Sequence, residues 1–143
     1  MDDRFRFRAW DKTEKRMLYD VQNAYDTLSG LVFDQDGNDA DYDKASFGGF
    51  LKDDNYIVLQ STGLRDKNGT LIYEGDVVKY LGYEVQDGKQ VRPERFRAVG
   101  QTTDPFRNSF IDDCFHIQNL LEHGNYELEI IGNIYSNPEL VKG

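Results

Sequence analysis

The sequence predicts a mainly β protein with minor α: an irregular N-terminal β region, then a small β-barrel carrying one short helix. Three observations predict it. Apolar and polar residues alternate with period two at Phe5, Phe7 and Ala9 against Arg4, Arg6 and Arg8, and again at Tyr126, Leu128 and Ile130 against Glu127 and Glu129. Turn signals recur every ten residues or so, as in all-β chains. Helical periodicity is scarce.

The elements follow in order. Residues 4–9 form a strand. The charged stretch Asp11–Arg16 then turns the chain into Met17-Leu18-Tyr19 as a hairpin. Val21–Leu31 is a helical candidate with strand as its alternative. Tyr56–Leu59 is a short apolar strand. Asp66-Lys67-Asn68-Gly69 is a tight turn, because Asn and Gly accept positive φ. Leu71-Ile72-Tyr73 and Val77-Val78-Lys79-Tyr80 flank a bend at Glu74-Gly75-Asp76, and Asp87-Gly88 marks another hairpin. The best helix runs over 112–122. Asp112 or Asp113 would cap it, Ile117, Leu120 and Leu121 would be its apolar stripe, and Gly124 would end it. Asn137-Pro138 ends the last strand, since proline cannot donate to a ladder. Pro138, Leu140 and Val141 would pack back on the barrel or dock on a neighbour. The division falls near Gln60–Gly63, giving an N-terminal β subdomain, 1–61, and a second subdomain, 62–143, of the SH3-like barrel type.

Composition excludes several function classes. The chain has 143 residues, 17 basic and 26 acidic, for a net charge of −9 and a pI near 4.6. That balance opposes unspecific binding to phosphate backbones. Residues 21–60 carry eight acidic and two basic side chains. One cysteine, Cys114, excludes an internal disulfide and a Cys-rich zinc site, and fits a reducing cytoplasmic setting. No apolar run approaches the ~20 residues that span a bilayer, so no membrane partner is expected. The phosphate-loop, dinucleotide, zinc-protease and nucleophile-elbow motifs are missing.

Candidate chemistry is weighed residue by residue. Arg4, Arg6 and Arg8 would offer guanidinium forks to an anion, but Asp2, Asp3 and Asp11 offset them and a solvated strand face is the simpler reading. Trp10 would stack a base or a proline, or anchor a core. Asp34, Asp36 and Asn38 open like a calcium loop, but Asp39 and Ala45 stand where glycine and a bidentate glutamate belong, leaving a solvated acidic loop. Cys114 and His116 diverge on a helix, which opposes both a metal site and a nucleophile pair. His123 reads as a helix C-terminal cation. Glu74 and Asp76 read as bend-forming carboxylates. The remaining binding candidates are Arg92, Arg95, Arg97 and Arg107, a local basic patch beside the aromatic strands.

Three stretches, taken together, carry a family resemblance. They are Phe7-Arg8-Ala9-Trp10-Asp11, then Thr62–Gly69 running on to Ile72–Val78, then Ile131–Leu140. In this order and spacing they resemble the YopX family of phage and prophage proteins. The resemblance implies a small, mostly β protein with an SH3-type barrel in its later part, encoded by a bacteriophage or prophage. It implies no particular activity. Gly63, Asp66, Asn68, Gly69, Tyr73, Gly75, Asp76, Gly132, Asn133, Tyr135, Asn137 and Pro138 are its motif positions, expected to be structural. Segments 34–43 and 81–107 depart from its usual look. The expectation is a non-enzymatic accessory protein without cofactor. It would act as a self-associating binding module on a phage or host protein, with nucleic-acid binding through the arginine patch as the alternative.

Overall fold

In the computed structural model, residues 3–100, 109–124 and 127–141 are described. The chain is mainly β, with a curled half-barrel sheet and few helices. It divides into two units, residues 1–63 and 64–143.

In the first unit, β1 (Phe7–Asp11) pairs antiparallel with β2 (Arg16–Tyr19) and with β3 (Tyr56–Arg65), so β1 is the middle strand. Ala9 sits opposite Leu18 on one side and Val58 on the other. The strand begins later than the alternation predicts. Asp3–Phe5 is a 3-10 turn, and Phe5 is exposed. The solvated arginine face is also corrected: Arg8 is 2% exposed, and its Nη1 donates to the Tyr19 hydroxyl at 3.3 Å while its guanidinium covers the Tyr19 ring. Arg6 turns instead to Asp20, 3.0 Å away. Trp10 is half-buried between Met17 and Ile57 in the register.

Val21–Leu31 is neither candidate element; only Val21–Asn23 is helical, as a 3-10 turn. A helix that the sequence does not announce, α1 (Phe47–Lys52), belongs to this unit, so among the described residues the expected single helix becomes two. Ser46 caps α1 by accepting from the Gly49 N–H at 3.3 Å. Gly48 and Gly49 disfavour a helix locally. Burial of Phe50 outweighs them: it is wholly inside, with Tyr56 edge-on at 4.9 Å, among Ala9, Leu18, Val21 and Val32.

The second unit holds the end of β3, then β4 (Leu71–Tyr73), β5 (Asp76–Leu81), the hairpin β6 (Glu84–Gln86) and β7 (Lys89–Val91), β8 (Glu94–Ala98), α2 (Ser109–Glu122) and β9 (Glu129–Asn133). The three-stranded sheet runs β8-β5-β9, with a register shift against β9 between Val77 and Val78. Asp87 and Gly88 both take positive φ, 52° and 77°, the geometry of a two-residue hairpin turn. The core is Ile72, Val78, Val99, Ile117 and Leu128.

Helix α2 starts three residues before the expected 112–122, and neither Asp112 nor Asp113 caps it. Asp113 lies inside the first turns and is buried, accepting from Arg97 Nη1 at 2.6 Å and from the Gly100 N–H at 2.7 Å. Leu140 packs back over Gly132. Tyr126, expected to open the last strand, lies outside the described residues. Among the described residues no helix is long and apolar enough to cross a membrane.

Candidate functional site

The motif residues occupy structural positions. Asp66 is 7% exposed; its Oδ1 accepts from the N–H groups of Asn68 (2.9 Å) and Thr70 (3.0 Å), and its Oδ2 from that of Ile130 (3.0 Å). One carboxylate thus shapes the β3–β4 turn, with Gly69 at its corner, and ties it to β9. Asp76 Oδ2 accepts from the Tyr73 N–H at 2.8 Å across the Gly75 bend. Asn133 Oδ1 accepts from the N–H groups of Tyr135 and Ser136 at 3.0 and 2.8 Å. Asn137 Oδ1 receives the Asn133 N–H at 3.3 Å, and Pro138 opens the closing 3-10 turn. At Gly63, φ is +77° and an added Cβ would stand 2.5 Å from Arg4 Cγ, so only glycine fits.

A cleft of about 400 Å³ opens in the first unit, bounded by Asp11, Glu14, Arg16, Asp41, Asp43 and Tyr56 among others. Its groups are already engaged. Burial opposes ionisation of Asp11. The N–H of Glu14, the Asn55 amide, the Thr13 N–H and Arg16 outweigh it and hold the carboxyl below its ordinary value. Burial, then the hydrogen bond to Asp43 (2.9 Å), pushes the Tyr56 hydroxyl upward. Asp34 is likewise turned inward on its loop, accepting from the N–H groups of Asp36 and Asn38 at 2.9 and 3.0 Å. Among the described residues no three His, Cys, Asp or Glu side chains converge as a metal site.

The second unit carries a cleft of similar volume, about 400 Å³, lined mostly by apolar surface and rimmed by two arginines and two histidines. Tyr80 and Leu81 come from β5, Gly82 and Tyr83 from the link to β6, Arg92 and Arg95 from the approach to β8 and from β8 itself. Helix α2 contributes His116, Asn119 and Leu120, and His123 follows directly after its last residue. These stand at i, i+3, i+4 and i+7, one helix face. That spacing is in the sequence, but reading His116 with Cys114 and His123 as a terminal cation hides it. The Arg92 guanidinium lies 3.9 Å from the Tyr83 ring centroid, held there by Nε donating to the Gly82 carbonyl at 2.8 Å and Nη2 to the Leu81 carbonyl at 3.4 Å. Tyr80 meets His116 edge-on at 5.5 Å. Arg95 pairs with Glu84.

Of the four patch arginines, the structure brings Arg92 and Arg95 together. Arg97 is drawn away to Asp113; burial works against its charge, and the carboxylate more than restores it. Arg107 lies outside the described residues. Cys114 is half-buried, and burial first, then Asp113 and Glu74, pushes its thiol up to about 11.

Compared with known proteins, the family described as YopX protein matches residues 6–142. No curated protein matches. Among solved structures, the crystal structure of protein EF1440 from Enterococcus faecalis is similar: 27% identical, covering 96% of this chain and 97% of that one, with a TM-score of 0.48.

Proposed function

This chain belongs to the YopX protein family, and we propose that it is a non-enzymatic binding module that associates with copies of itself. The motif resemblance supports a phage or prophage accessory role in the bacterial host cytosol. The chemistry-bearing residue types support a non-catalytic reading: the conspicuous carboxylates Asp66, Asp76 and Asp113 bind backbone N–H groups or an arginine, and the thiol is held protonated.

The observation that carries self-association is the outer face of the β8 edge. Strand β8 pairs only with β5 among the described strands, so its other side is an edge. Phe96 on β8 is 57% exposed. A large apolar side chain on an open edge strand favours pairing with a second chain, and a second copy supplies the same surface.

Light scattering across a concentration series tests it. Apparent mass should rise above the 16.6 kDa monomer with concentration, and Phe96→Ser should return it to monomer. A strict monomer at the highest concentration overturns the proposal.

A further inference from the structure

The cleft of the second unit lies on the other face of the sheet from Phe96. Tyr80 and Arg95 are register partners, and so are Lys79 and Phe96; successive side chains on a strand point to opposite faces. We propose that this cleft is a stacking site for an unpaired base of single-stranded nucleic acid, separate from the self-association edge.

The argument begins at Arg92. A guanidinium grips a carboxylate or phosphate through its forked N–H groups. Here Nε and Nη2 are turned to the carbonyls of Gly82 and Leu81. What the group offers a ligand is its flat, charged face, laid on Tyr83. Both residues are exposed, Tyr83 by 64%. A rigid aromatic–guanidinium platform suits a planar base, because every base presents a π face and the cation adds to the stacking. An acidic peptide would use the fork instead.

The walls agree with that occupant. Leu120 and Tyr80 give an apolar side, while the Asn119 amide offers a donor and an acceptor at a base edge. Arg95 puts positive charge on the rim for a flanking phosphate and His123 adds a polar ring, while His116 Nε2 already meets the Tyr80 hydroxyl at 3.4 Å. Glu84 tempers Arg95, so the number of phosphates neutralised is small. With a net charge of −9 on the whole chain, the attraction is confined to the rim of this cleft.

Fluorescence anisotropy of a labelled oligothymidine against the full-length chain tests the site. Binding is expected at about 50 mM salt, weakening about three- to sevenfold on going to about 200 mM, the shallow dependence of one or two phosphate contacts. Tyr83→Ala and Arg92→Ala should each weaken it by about tenfold or more, and Tyr83→Phe should retain it. Both side chains are exposed, so the variants should keep the circular dichroism spectrum of the parent. The Phe96→Ser variant should bind unchanged, which separates this site from self-association. The proposal is overturned by no binding at low salt, by insensitivity to Tyr83→Ala and Arg92→Ala, by loss in the edge variant, or by an acidic peptide of equal charge binding as tightly.

Discussion

Single carboxylates set much of the local geometry of this protein. Asp66 satisfies three backbone donors from two segments, and Asp11 receives two N–H groups and a guanidinium within its hairpin and the Asn55 amide from the approach to β3. For Asp11 the balance of burial and hydrogen bonding lowers the folded value below 3.8. A depressed carboxyl value contributes stability that is fully present above the unfolded value and is lost as pH falls through the folded one. Asp11→Asn should therefore cost on the order of 1–3 kcal/mol at neutral pH. The gap to the parent should close as urea titrations are taken below pH 3.8. A gap that stays constant into acid would show that the charge is not what Asp11 contributes. Sequence inspection finds Asp66 and Asp76 at once, because they sit in turn motifs. The partners of Arg8 and Asp113 are many residues away and leave no local sign.

Elements here are decided by packing as often as by propensity. Helix α1 forms over Phe-Gly-Gly-Phe because Phe50 gains a buried aromatic pocket, whereas Val21–Leu31 gives the core Val21 and Ala24, with Leu31 packed against it, and is helical only over Val21–Asn23. The last strand shows the reverse dependence. Gly132 has φ near 156°, and an added Cβ would lie 2.6 Å from Asn137 Oδ1 and 2.7 Å from Leu140 Cδ1. The closing 3-10 turn is thus seated against a position that tolerates no side chain. Gly132→Ala should destabilise the chain by about 1–3 kcal/mol. Leu140→Ala in that background should cost less than it does alone, since it removes one of the clashing atoms. Simple additivity in a double-mutant cycle would mean that the two segments do not press on each other.

Over the whole molecule, charge is the dominant property. A net −9 keeps copies apart near neutral pH and opposes nucleic acid everywhere except at a local cationic rim. Self-association should therefore strengthen as pH is lowered toward the pI near 4.6 and as salt is added, both of which reduce repulsion. Light scattering that shows association weakening under both changes would point to ion pairs, instead of the apolar edge, as its source.

The amino-acid order by itself determined the mainly β class, the turns at Asn68-Gly69 and Asp87-Gly88, the α2 apolar stripe and the family, because periodicity and turn chemistry are local properties of the backbone. Only the tertiary structure decided which charges are spent and which are left to act. It buried Arg8 beneath β1, committed Arg97 to Asp113, and gathered Tyr83, Arg92 and one face of α2 around a single cleft. Those pairings depend on residues far apart in the chain that meet only when a shared core brings their elements together.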